Sequence, residues 1–139
     1  MVTRAIRNNN PLNIEYRAKN KWQGLRQTRT DSRFCEFINM FYGYRAALII
    51  LRKYLAPIPS GHGCRNLSQV IQMWAPPSEN NVAKYIEFVE RRSGIQRTAP
   101  LKFSDRELIV SLVQAMACYE SGARLSNFYI YEAYDALTK

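Results

Sequence analysis

Glu120 is the side chain whose placement in this sequence most invites chemistry. It closes the stretch Ser104 to Gly122, SDRELIVSLVQAMACYESG, in which Leu108, Leu112, Ala115, Met116 and Tyr119 recur at spacings of three or four. That period predicts a long apolar helix, opened by a capping box of Ser104 and Glu107 and stopped by Ser121 and Gly122. A carboxylate in the last turn opposes the helix dipole, at a cost of roughly 0.3 to 1 kcal/mol. Negative partial charge and apolar neighbours both disfavour ionisation, so they raise a carboxyl pKa towards what a general acid needs. The competing reading is a solvated glutamate at a frayed helix end.

Cleavage of a glycosidic bond needs such a protonated carboxyl. It often needs a second carboxylate as well, about 5 to 5.5 Å away in retaining enzymes and about 6.5 to 9.5 Å away in inverting ones. Glu15, Asp31 and Glu79, each in or beside an expected loop or strand, are the candidates for that second role. Sugar-binding grooves are lined by aromatic and amide side chains, for which Asn9, Asn10, Asn13, Trp22, Trp74 and Tyr85 are available. Each also has a plain structural reading as core or turn. The sequence carries no phosphate-binding glycine loop, no Ser-His-Asp order and no metal-ligand cluster, so neither a cofactor nor a metal is expected. The single histidine, His62, lies between two glycines and reads as a solvated turn residue. Cys35, Cys64 and Cys118 are odd in number and unpaired in spacing, which indicates neither a disulfide framework nor a zinc site.

The elements that must position these residues can be read along the chain. Arg7 to Ile14, RNNNPLNI, is a turn-rich segment, because asparagines bend the backbone locally and the residue before Pro11 is pushed out of the helical region. Lys21 to Phe37 alternates around the turn signals Gly24 and Asp31-Ser32, which predicts a hairpin or a small three-stranded antiparallel sheet. From Met40 the period becomes helical, with Tyr44, Ala47, Leu48, Leu51, Tyr54 and Leu55 on one face and Pro57 and Pro59 ending the run. Asn66 caps a shorter helix carrying Leu67, Val70, Ile71 and Trp74, stopped at Pro76-Pro77. Asn80 or Asn81 caps the next, with Val82, Tyr85, Ile86 and Val89 on one face and Gly94 as terminator. Ser126 caps a final helix facing Ile130, Tyr134 and Leu137 inward.

At 139 residues and 47% hydrophobic, the chain suits one domain with a real core. The fold class expected is mainly α (α+β), a helical domain with a small antiparallel sheet near its N-terminus. A net charge of +9 implies an anionic partner: nucleic acid, an acidic membrane surface or a cell-wall polymer. The basic residues are scattered rather than gathered in a tail, which weighs against specific nucleic-acid binding. The longest apolar run, Ala46 to Leu51, is too short to span a bilayer, and the first ten residues lack an apolar signal core. The expectation is synthesis in a bacterial cytoplasm without an evident signal peptide; oligomeric state is left open.

Several stretches add a resemblance. RNNNPLNIEY with Trp22 to Gly24, YGYRAALIILRKYL, NLSQVIQMWAPPSENNVAKYI and MACYESG resemble a family of phage and prophage proteins that open on an RNNNPGNI-like motif. Its members are described as virion structural proteins or as lysozyme-like. In this chain Leu12 stands where glycine is common and Glu15 where arginine is common. A second likeness is to cell-wall glucosaminidases and muramidases of the lysozyme-like superfamily, in circularly permuted order. Tyr119-Glu120-Ser121-Gly122 is similar to their first motif, Asn10 to Ile14 to their second and Pro76 to Tyr85 to their third. The resemblance implies a single lysozyme-like domain over residues 1–139, an enzyme cleaving peptidoglycan glycan strands as a glycosidase or lytic transglycosylase, and no cofactor. On that likeness Glu120 would be the general acid, Asn13 would help form the cleft opposite it, and Tyr85 would steady substrate or the developing positive charge. Asn10 and Trp74, from the amide and aromatic set above, complete the substrate-binding residues expected, and the site of action would be the cell wall or a phage particle, as for an endolysin. The alternatives are a non-catalytic phage structural or accessory protein that binds the wall, and, ranked below it, a basic nucleic-acid-binding protein.

Overall fold

A computed structural model of the chain describes residues 2–75 and 81–139. Glu79 and the Pro76-Pro77 stop therefore lie outside the described residues. Among those described there are six helices: α1 (Arg4–Arg7), α2 (Met40–Leu55), α3 (Leu67–Trp74), α4 (Val82–Ser93), α5 (Arg106–Ser121) and α6 (Phe128–Leu137).

Helix α5 is the centre of the molecule. Ile109, Val110, Leu112, Val113, Ala115, Met116, Ala117 and Cys118 are all buried, so the helix is enclosed on nearly every side, as an apolar sequence without a polar stripe requires. It packs against α4 and α6 and touches α1, while α2 packs against α6 and α3. The expected faces of the other helices are the buried ones: Tyr44, Ala47, Leu48 and Leu51 on α2; Leu67, Val70 and Ile71 on α3; Tyr85, Ile86 and Val89 on α4; Ile130 and Tyr134 on α6.

The caps explain the boundaries. Asn39, Asn66 and Asn81 each accept a hydrogen bond from the backbone N–H three residues on, opening α2, α3 and α4. Helix α5 is capped by Asp105, whose side chain accepts from the Leu108 N–H, so the Ser104–Glu107 capping box does not form. The start is one residue later than its pattern suggested. Gly94 and Gly122 close α4 and α5 in the left-handed conformation, at φ 76° and 71°. Asn127 occupies the cap position of α6 without a side-chain bond, and Ser126 Oγ accepts from the Phe128 N–H at 3.1 Å.

The expected sheet does not form among the described residues. Among the described residues there are only two isolated antiparallel bridges, Glu15 with Phe34 and Leu25 with Phe37. The physical reason lies in two carboxylates that take the backbone N–H groups a ladder would need. Glu36 accepts from the N–H groups of Thr30 and Asp31, at 2.7 and 2.8 Å, and Asp31 accepts from those of Arg33 and Phe34, at 2.9 and 2.8 Å. The alternating pattern of this stretch thus folds as a chain of side-chain-stapled turns. Both carboxylates are buried and hydrogen-bonded, which satisfies them without a strand partner.

Candidate functional site

The first loop is built around Asn10. Its side chain is fully buried, accepts the Ile14 N–H at 2.9 Å and donates to the carbonyls of Ile14 and Cys35 at 2.9 and 3.0 Å. Leu12 beside it is also fully buried, anchoring the turn in the core. The loop then presses on α2 at Gly43, where an added Cβ would lie 2.1 Å from the Asn9 carbonyl oxygen. Asn9 and Asn13 take positive φ, 50° and 53°, a conformation asparagine tolerates better than most residues.

That conformation presents Asn13 to the end of α5. Its Nδ2 donates to Glu120 Oε1 and to the Glu120 backbone carbonyl, both at 3.2 Å. The second bond satisfies one of the last-turn carbonyls that have no partner within the helix. Asn13 Oδ1 is buried without a partner among the described residues. A left-handed backbone and an unpaired acceptor at one residue are costs of the kind that concentrate at functional sites.

From the other side the Tyr85 hydroxyl donates to Glu120 Oε2 at 2.9 Å. Tyr85 is fully buried and stacked on Tyr119, with ring centroids 4.1 Å apart, so α4 and α5 hold it rigidly beneath the carboxylate. It reaches Glu120 from the interior and has no exposed surface of its own. Burial raises the Glu120 pKa above the ordinary 4.5; hydrogen bonds from Asn13, Tyr85 and Trp74 act in the opposite direction, and burial prevails. Burial, followed by the charge and hydrogen bond of Glu120, raises the Tyr85 pKa well above that of a free tyrosine, so the phenol keeps its proton and remains a donor.

Glu120 opens on its free side into a groove of about 370 Å³. Asn13, Glu15 and Trp74 line the same groove, so the structure gathers residues from the first loop, α3 and α5 around the carboxyl. The lining from α2 and α3 is apolar and aromatic, with Ile50, Tyr54, Met73 and Trp74; that from the N-terminal loops is polar at Glu15, Arg17, Asn20 and Arg33 and apolar at Ile14 and Phe34. In the sequence Arg17 and Arg33 are two of the scattered positive charges. The Glu15–Arg17 spacing in an extended segment was the available signal, since residues two apart share a face.

The remaining candidates lie elsewhere. Asp31 is buried and accepts from Arg4 Nε at 2.7 Å and Asn8 Nδ2 at 2.9 Å besides its two backbone bonds. Burial works against its ionisation, yet donors from Phe34, Arg4, Asn8 and Arg33 outweigh it and hold the carboxyl well below the usual range. Its acceptor capacity is spent on the fold. Asn9 donates to the Phe37 carbonyl at 3.2 Å, and Trp22 packs against the core with its indole N–H unpaired among the described residues. His62 is exposed and sits edge-on to Tyr54, and the three cysteines are free and buried. Among the described residues no cluster of potential metal ligands forms, and no helix is long and apolar enough to cross a membrane.

The chain is a phage protein by descent. It is 35% identical over 133 residues, covering 94% of this chain and 77% of the relative, to Protein P5 of Pseudoalteromonas phage PM2, and it belongs to that family. No family model matches it.

Proposed function

We propose that this phage protein is a lysozyme-like glycosidase or lytic transglycosylase of one domain that cleaves peptidoglycan glycan strands, with Glu120 as the proton donor. The observation that carries the reading is the position of Glu120: a partly buried carboxyl with a raised pKa, held on its inner side by Tyr85 and Asn13 and open on its outer side to a groove with an aromatic wall. A sugar ring packs on Trp74 while the glycosidic oxygen approaches Glu120. The Glu120 proton moves to that oxygen as the C1–O bond breaks, and the alcohol of the leaving sugar departs. The positive charge at C1 is then quenched by water or by a hydroxyl of the same sugar, with the Glu120 carboxylate accepting the proton released. Asn13 and Tyr85 stabilise the carboxylate formed in the first step, which keeps it from recapturing the proton early. The motif resemblances of Asn10 to Ile14 and Tyr119 to Gly122 support the same reading.

The test is digestion of purified peptidoglycan by the wild-type protein and by Glu120→Gln. Soluble muropeptides from the wild type alone support the assignment. Equal release by both, or none by the wild type, refutes it.

Kinship with a phage protein also favours a second reading, in which the chain is carried in the phage particle and grips the cell wall without turnover. Sedimentation of the protein with peptidoglycan, in the absence of any released fragment, would support that one.

A further inference from the structure

We infer that the polar wall of the groove is a subsite for a carboxylate of the substrate, with Arg17 as the residue that meets it. This rests on the glycan-binding reading above, although not on turnover.

Three charges are shared unevenly on this wall. Glu15 Oε2 accepts from both Nη2 and Nε of Arg33, at 3.0 and 3.2 Å. Glu15 Oε1 reaches Arg17 Nη2 only at 3.5 Å, the limit of a hydrogen bond. Of the two arginines on Glu15, Arg17 is the more weakly engaged, and its side chain is 61% exposed. The antiparallel bridge between Glu15 and Phe34 sets the backbones of Glu15 and Arg33 side by side. The same groove is lined by Trp74 and Met73. A groove with one aromatic wall and one guanidinium wall fits a sugar strand that carries carboxylates at its edge, as peptidoglycan does on its peptide stems. A neutral polymer of the same sugars would leave Arg17 unused.

The probe is insoluble peptidoglycan, native or with its carboxylates converted to amides. Binding is measured by co-sedimentation in a Glu120→Gln background, so that cleavage does not interfere. The expected result is about twofold to fivefold weaker binding of the parent to amidated than to native peptidoglycan. Arg17→Met should bind native material as weakly as amidated material. Arg124→Met, which removes the same charge outside the groove, should retain the parent's preference. Equal preference in the parent and Arg17→Met, or equal losses in the two arginine variants, would overturn the inference. A separate digestion with the wild-type protein distinguishes the two claims: carboxylate-dependent binding through Arg17 without any cleavage would leave the subsite standing and refute the glycosidase, and cleavage without dependence on Arg17 would do the reverse.

Discussion

Asn13 and Glu120 are 107 positions apart in the chain, and one amide nitrogen of the first donates to both the side-chain and the main-chain oxygen of the second. The bond joins the first loop to the end of the central helix and fixes the carboxyl at the floor of the groove. It also resolves the apparent misplacement of a carboxylate at a helix C-terminus, because the same donor that steadies the side chain pairs the helix's exposed carbonyl.

Substituting Asn13 separates backbone from side chain. Asn13→Gly keeps the left-handed conformation and loses only the bonds to Glu120, so it should cost about 1 kcal/mol. Asn13→Ala loses the bonds and also strains the backbone, for a total of about 2–3 kcal/mol. Denaturant unfolding of the two variants against the wild type measures the difference.

Tyr85→Phe removes a donor that favours the ionised form of Glu120, so the Glu120 pKa should rise above its already raised value. An NMR titration of the side-chain carboxyl carbon reads this directly. The alkaline limb of the cleavage profile, where Glu120 loses its proton, should move to higher pH with it. An unchanged titration would mean that the hydroxyl does not govern the carboxyl.

The raised pKa has a consequence for stability. A carboxyl whose folded pKa exceeds its unfolded value binds more protons when folded over the window between them, so stability falls as pH rises through that window. Glu120→Gln removes the charge and the penalty. The melting temperature of the variant relative to wild type should therefore be higher at pH 7 than at pH 4, as followed by circular dichroism.

Asp31 carries the opposite sign. Its folded pKa is depressed, so its contribution is present above the ordinary aspartate pKa and is lost as pH falls towards the folded value. Asp31→Ala should cost about 2 kcal/mol or more at neutral pH, since it leaves Asn8 and two backbone N–H groups without their acceptor. Gly43→Ala tests the same region by packing: a Cβ 2.1 Å from the Asn9 carbonyl cannot be accommodated without moving the loop that carries Asn13, for about 3 kcal/mol or more.

What could be read from the sequence follows from which interactions are local. The helices announced themselves because apolar period and caps lie within a few residues, as with Asn66 and Asn81. The start of α5 slipped by one position because Ser104 and Asp105 are both competent caps, and only the fold decides that Asp105 is used. The sheet was misread because alternation between Lys21 and Phe37 is local, whereas the competitors for its backbone, Glu36 and Asp31, act through folded turns. At the groove, Glu120 was legible from its helix, yet the division of labour among its neighbours was not. Asn10 and Asn13 look alike three residues apart, but the first is an internal staple and the second meets Glu120. Arg33 joins Glu15 from 18 positions away, a pairing that no local pattern records.

The most direct measurement of the central claim is mass spectrometry of the soluble products from purified peptidoglycan. The wild-type protein should release glycan fragments cut at a single kind of glycosidic linkage, and Glu120→Gln, folded by circular dichroism, should release none. Fragments released by Glu120→Gln at the wild-type rate, or no fragments from the wild type, would contradict it.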